Sequence, residues 1–70
     1  MKLNYKYFKL TKIGEKYSID SSKIFLGHLE KLGNKFVFIP NQTRDNENNE
    51  IIWYQECISD LNKILIELNS

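Results

Sequence analysis

The stretch 53-WYQECISDLNKILIELN-69 decides the fold. Tyr54, Ile58, Leu61, Leu65 and Leu68 recur at intervals of three and four, the period of one helical face. Cys57 and Ile64 widen the stripe, and Gln55, Glu56, Ser59, Asp60, Asn62, Lys63 and Glu67 fall largely on the other side. No Gly or Pro interrupts the run, so the spacing predicts a helix over about 53–68. Asn48 or Asn49 is expected to cap it, with Glu50 at its positive end. Ile52 and Ile66 depart from the stripe. Ile52 can precede the helix, because Ile51-Ile52-Trp53-Tyr54 has strand propensity and 51–53 reads either way. Ile66 is either an exposed residue of a frayed last turn or part of a contact surface.

Everything before this helix reads as strands that need something to pack against. Strands are expected at about 3–13, 16–20, 24–31 and 35–39, separated by turns at Gly14, Asp20–Lys23 and Gly33-Asn34, the last ended by Pro40. The first is uneven: Leu3, Tyr5 and Tyr7 share one side, Phe8 and Leu10 the other. Either a bulge near Tyr7-Phe8 switches the faces or both faces are partly covered. Asn41 to Glu50, NQTRDNENNE, has no apolar residue and is expected to be a mobile loop. The chain is therefore read as α+β: an antiparallel β-meander of three to four strands with one C-terminal amphipathic helix across one sheet face.

Strict alternation gives this sheet two apolar faces. Phe25, Leu29, Phe36 and Phe38 form one set; Ile24, Leu26, Val37 and Ile39 form the other. A single helix covers one face only, and which one is open at this stage. The other is expected to be covered by a second copy, by the 41–50 loop or by another molecule. Tyr5, Tyr7, Ile24, Leu26, Ile39 and Ile66 are accordingly the apolar candidates for a protein contact.

Seventy residues make one domain, near the lower limit for a chain that folds alone. The opening alternates polar and apolar residues, which argues against a secretory leader, and no run is long enough to span a membrane. One cysteine suits a reducing compartment, so a cytoplasmic protein is expected. His28 and Cys57 stand alone. They lack the spacing of a nucleophile–base pair or a metal site, and there is no glycine-rich phosphate loop. The expectation is a non-enzyme with no cofactor and no small-molecule substrate.

The net charge of +1 hides a split: residues 1–40 carry eight lysines against three carboxylates, hence +5, and the remainder carries −4. Lys6, Lys9, Lys12, Lys16 and Tyr17 in the first hairpin therefore suggest an alternative, a nucleic-acid module that pairs phosphates with lysines and stacks bases on tyrosine. Against it, the single arginine lies in the acidic loop, and lysines also guard strand edges from aggregation.

Leu26-Gly27-His28-Leu29-Glu30-Lys31-Leu32-Gly33-Asn34-Lys35-Phe36-Val37-Phe38-Ile39-Pro40, with the later Glu67-Leu68-Asn69, resembles a pattern of short bacterial and phage proteins, LGxLxKxGxxFxFxP followed by a helix ending ELN. It covers about half the chain and brings no catalytic residue. In that pattern the positions of Ile64 and Ile66 are more often polar. The resemblance implies a protein of a bacterium or phage-infected cell, in the style of anti-CRISPR inhibitors that occupy a host protein's surface. Glu47, Glu50, Glu56 and Asp60 would then stand in for phosphates. The leading expectation is thus a small protein-interaction module, with a protein partner or a second copy bound and nucleic acid as the alternative.

Overall fold

The computed structural model describes residues 1–22, 24–41 and 53–70. Four antiparallel strands lie in sequence order: β1 (Lys9–Ile13), β2 (Lys16–Ser21), β3 (Ile24–Leu32) and β4 (Lys35–Pro40). One helix follows, α1 (Gln55–Leu68), packed against the sheet and running alongside β4. The fold is α+β. The expected mobile loop at 41–50 lies outside the described residues apart from Asn41, as do Ile51 and Ile52.

The first strand begins at Lys9, not Leu3. Residues 3–10 form a hook: Asn4 pairs with Lys9, the Leu10 N–H donates to the Leu3 carbonyl at 2.7 Å, and the Tyr5 N–H donates to the Phe8 carbonyl at 2.9 Å. The uneven alternation around Tyr7-Phe8 is therefore a reversal of the chain. The reversal folds the Tyr5 ring onto the Phe8 ring, centroids 5.0 Å apart. At the other hairpin, Leu32 faces Lys35 across a two-residue loop, and Gly33 supplies the positive φ of 65° that its first position requires.

The bulge sits in β3. Ile19 pairs with Gly27 but Asp20 pairs with Phe25, which leaves Leu26 as the extra residue. It shifts parity, so Leu26 and Leu29 are buried together while Phe25 turns out to 41% exposure. Gly27 makes the shift possible. Its φ is 149°, and a Cβ there would lie 2.6 Å from the Ile39 carbonyl oxygen and 2.8 Å from a Phe38 ring carbon. Asn41 closes the site: its N–H donates to the Leu26 carbonyl at 3.0 Å and its side-chain amide donates to the Phe25 carbonyl at 2.7 Å.

This corrects the membership of the two apolar sets. Ile24, Leu26, Leu29, Phe36 and Phe38 all belong to or pack against one core, with Phe8, Leu10, Ile19, Cys57, Leu61 and Ile64. Trp53 joins the halves, 6.5 Å from the Phe8 ring and edge-on to Phe38 at 5.3 Å. Most of the inner face is covered by helix and hook together.

The helix is rotated from the expected stripe. Cys57, Leu61 and Ile64 are buried, whereas Tyr54 and Ile58 are more than half exposed. Tyr54 is the N-cap, with an extended ψ of 154° and no side-chain cap bond of its own, while Asn48 and Asn49, expected to cap the helix, lie outside the described residues. The Tyr54 ring lies against Tyr7 instead, centroids 5.3 Å apart and planes tilted by 30°. At the far end Asn69 is the C-cap, its N–H reaching the Leu65 carbonyl at 3.0 Å.

A candidate protein-contact face on the sheet

The outer face of the sheet is the surface that no described residue packs over. Register and alternation put Lys9, Thr11 and Ile13 of β1 there, with Lys16, Ser18 and Asp20 of β2. From β3 come Phe25, His28, Glu30 and Leu32, and from β4 Lys35, Val37 and Ile39. Ile13, Phe25 and Leu32 are exposed, and Val37 and Ile39 are half-buried by their neighbours. Apolar side chains are thus concentrated towards β3 and β4.

Charge on this face is compensated locally. Lys9 stands directly opposite Asp20, which also accepts a 2.9 Å hydrogen bond from the Ser18 hydroxyl. Lys16 Nζ lies 2.7 Å from Glu30 Oε1. The hydrogen bond from Lys16 is the main reason the Glu30 carboxyl is held below its ordinary range, assisted by the Lys16 and His28 charges. His28 lies parallel to the Phe25 ring, centroids 6.5 Å apart, with Nε2 4.0 Å from Glu30.

The sequence candidates are dispersed. Leu26 is buried and Ile24 faces the core, so neither belongs to an accessible patch. Tyr5 and Tyr7 are half-buried in the hook and pack on the same core. Ile39 lies on the outer face, and Ile66 projects from the helix at 62% exposure. Glu47 and Glu50 lie outside the described residues. Glu56 faces Lys6 at 3.6 Å across an exposed gap. Asp60 is half-buried and, with Glu67, faces Tyr5, whose hydroxyl pKa is raised first by burial and then by these two carboxylates.

The five nucleic-acid candidates do not converge. Lys6 sits on the hook, over the Tyr7 ring at 5.2 Å and beside Glu56, and its pKa is raised first by the Tyr7 hydroxyl and then by Glu56. Lys9 and Lys16 occupy the outer face, already opposite carboxylates. Only Lys12 and Tyr17 meet, as direct cross-strand partners on the inner face. The charge split between the halves of the chain is therefore partly internal, with the basic hook set against the acidic flank of α1.

Phe25 and Leu32 belong to the outer face but were missed, because strict alternation placed Phe25 with Leu29. The isolated Gly27 inside a strand was the signal that could have revealed the change of side. Cys57 is buried in the core, and among the described residues no group of three His, Cys, Asp or Glu side chains could hold a metal ion. No described helix is long and apolar enough to cross a membrane. No protein-family model matches the chain, and no curated protein or solved structure matches it either.

Proposed function

We propose that the chain is a small non-catalytic protein-interaction module whose first partner is a second copy, the two meeting through the outer faces of their sheets. The observation that carries this reading is the strip of exposed Phe25 and Leu32 with half-buried Val37 and Ile39, on a face where most charge is compensated locally. A polyanion would find Lys16 paired with Glu30 and Lys9 directly opposite Asp20. With Lys9, Lys16 and Lys35 against Asp20 and Glu30 the face carries a net charge of only +1, so a second copy meets little repulsion, and a two-fold axis makes one patch complementary to itself. The need is also intrinsic: among the described residues the buried core is just Phe8, Leu10, Ile19, Leu26, Leu29, Cys57, Leu61 and Ile64. A domain of this size gains from covering further apolar surface, at about 25 cal/mol per Å².

Pairing through the sheets leaves both helices outward. Ile58 and Ile66, with Glu56 and Asp60, then form the surface offered to another protein. Occlusion of a host protein by a phage-encoded inhibitor belongs to this scheme as its finer form. Nothing favours phosphate mimicry over plain occlusion, since Glu56 and Asp60 face Lys6 and Tyr5.

Light scattering across concentration tests the proposal, with and without single-stranded and duplex oligonucleotides at low salt. A dimer that forms equally with and without nucleic acid is expected, and Phe25→Asp with Ile39→Lys should return it to a monomer with unchanged circular dichroism. A wild-type chain that stays monomeric at every concentration rejects the proposal.

A further inference from the structure

We infer that the inner face carries, beyond the end of the helix, a site for one nucleotide unit, meaning a phosphate-bearing planar heterocycle. A depression of about 240 Å³ opens there between the two tight turns, lined by Lys12, Gly14, Glu15, Tyr17, Lys31 and Phe36. Register makes the arrangement regular. Lys12 stands directly opposite Tyr17 across β1 and β2, and Lys31 directly opposite Phe36 across β3 and β4. The two rings lie 6.3 Å apart at 57°, each half-buried, so each keeps part of its surface open to the depression. Both lysines are exposed, and among the described residues no ion pair engages either of them, unlike Lys6 and Lys16.

Each part selects a feature of the ligand. Rings held in a sheet stack on any heterocycle, and ammonium groups beside them meet the phosphate to which it is joined. Glu15 on the rim leaves the depression with a net charge of +1, which matches a monoanionic phosphodiester better than a polyphosphate. The volume falls below the roughly 300–1,000 Å³ of pockets that enclose drug-sized ligands, so a base fits against the rings while sugar and phosphate stay at the rim. Phe36 is a stable wall, because Asn69 clamps its backbone through both N–H and carbonyl. A free nucleotide and a residue of a single strand share a base joined to a phosphate, a monoester in the first and a diester in the second. The site lies on the face opposite the proposed dimer contact, so either proposal can fail without the other.

The test is an amide NMR titration at low salt with adenosine monophosphate, a mixed-sequence single-stranded DNA hexamer, the same sequence as duplex, and inorganic polyphosphate. Shifts are expected within 12–17 and 31–36. Lys12→Glu with Lys31→Glu should weaken binding at least tenfold, and Tyr17→Leu about tenfold, as loss of one stacking partner does. Binding of both the mononucleotide and the hexamer assigns the bare nucleotide unit; binding of the hexamer alone assigns a strand residue. No shifts with either, shifts confined elsewhere, an unchanged affinity in the double-lysine variant, or equal binding of polyphosphate or duplex overturns the inference.

Discussion

Gly27 and Asn69 hold the two places where the backbone itself is at stake. Gly27 combines a φ of 149° with a Cβ position blocked by backbone atoms of β4, at 2.6 Å from the Ile39 oxygen. Gly27→Ala should therefore lower unfolding stability by about 2–4 kcal/mol, from strain plus steric conflict, as read by urea denaturation. Asn69 imitates a neighbouring strand: Phe36 N–H donates to its Oδ1 at 2.7 Å, and its Nδ2 donates to the Phe36 carbonyl at 3.0 Å. Because those backbone groups bond away from β3, Asn69 covers part of the open edge of β4, while Pro40 has no N–H to offer there. Asn69→Ala should cost about 1–2 kcal/mol for two partly exposed hydrogen bonds and speed aggregation on storage, checked by thermal melts and turbidity. An aggregation rate unchanged from wild type would remove the edge-guarding role.

At the scale of elements, the helix face and one cross-strand pair are open to test. The buried line of α1 runs through Cys57, Leu61 and Ile64, and Ile58 lies beside it in solvent at 54% exposure. Ile64→Ala should cost about 2–5 kcal/mol and Ile58→Ala less than about 1 kcal/mol, a contrast that reports the rotation of the helix. Equal costs would mean the helix sits as the simple period implies. Between β2 and β3, the Lys16–Glu30 pair sets a pH dependence. Glu30 is held below its ordinary pKa of 4.5, so its stabilisation is complete above that value and is lost as pH falls through the lower folded value. A carboxyl NMR titration should place the Glu30 midpoint below 4.5, and Lys16→Met should move it back up. A midpoint indifferent to Lys16 would remove the pair as its cause.

For the molecule as a whole, the sheet is covered unequally. Helix and hook together close the inner face except at its turn end, while the outer face keeps Phe25 and Leu32 in solvent. If two copies meet there, the melting temperature rises with protein concentration, because association favours the folded state by mass action. Phe25→Asp should abolish that rise while leaving the melting temperature at low concentration nearly unchanged. A melting temperature independent of concentration in the wild type would speak against pairing through this face.

The sequence by itself determined the order of the elements, the antiparallel meander and the C-terminal helix. Those follow from local periodicity and turn chemistry: Gly33-Asn34 turns, Pro40 stops β4, and 53–69 repeats at three and four. Ile66 was legible as an outlier for the same reason, since its angle on the helix depends only on position. Three features were settled only by tertiary structure. Residues 3–8 turn back as a hook because that places Tyr5 and Phe8 over core the helix does not reach. The bulge at Leu26 moves one strand half to the other face, and strict alternation carries no mark of it beyond a lone glycine. The depression at the turn end joins residues 12 and 17 to 31 and 36, which only strand register brings level. Periodicity describes which side a residue takes within its own element. Which side faces the core, and which residues meet across strands, depends on contacts between segments distant in the chain.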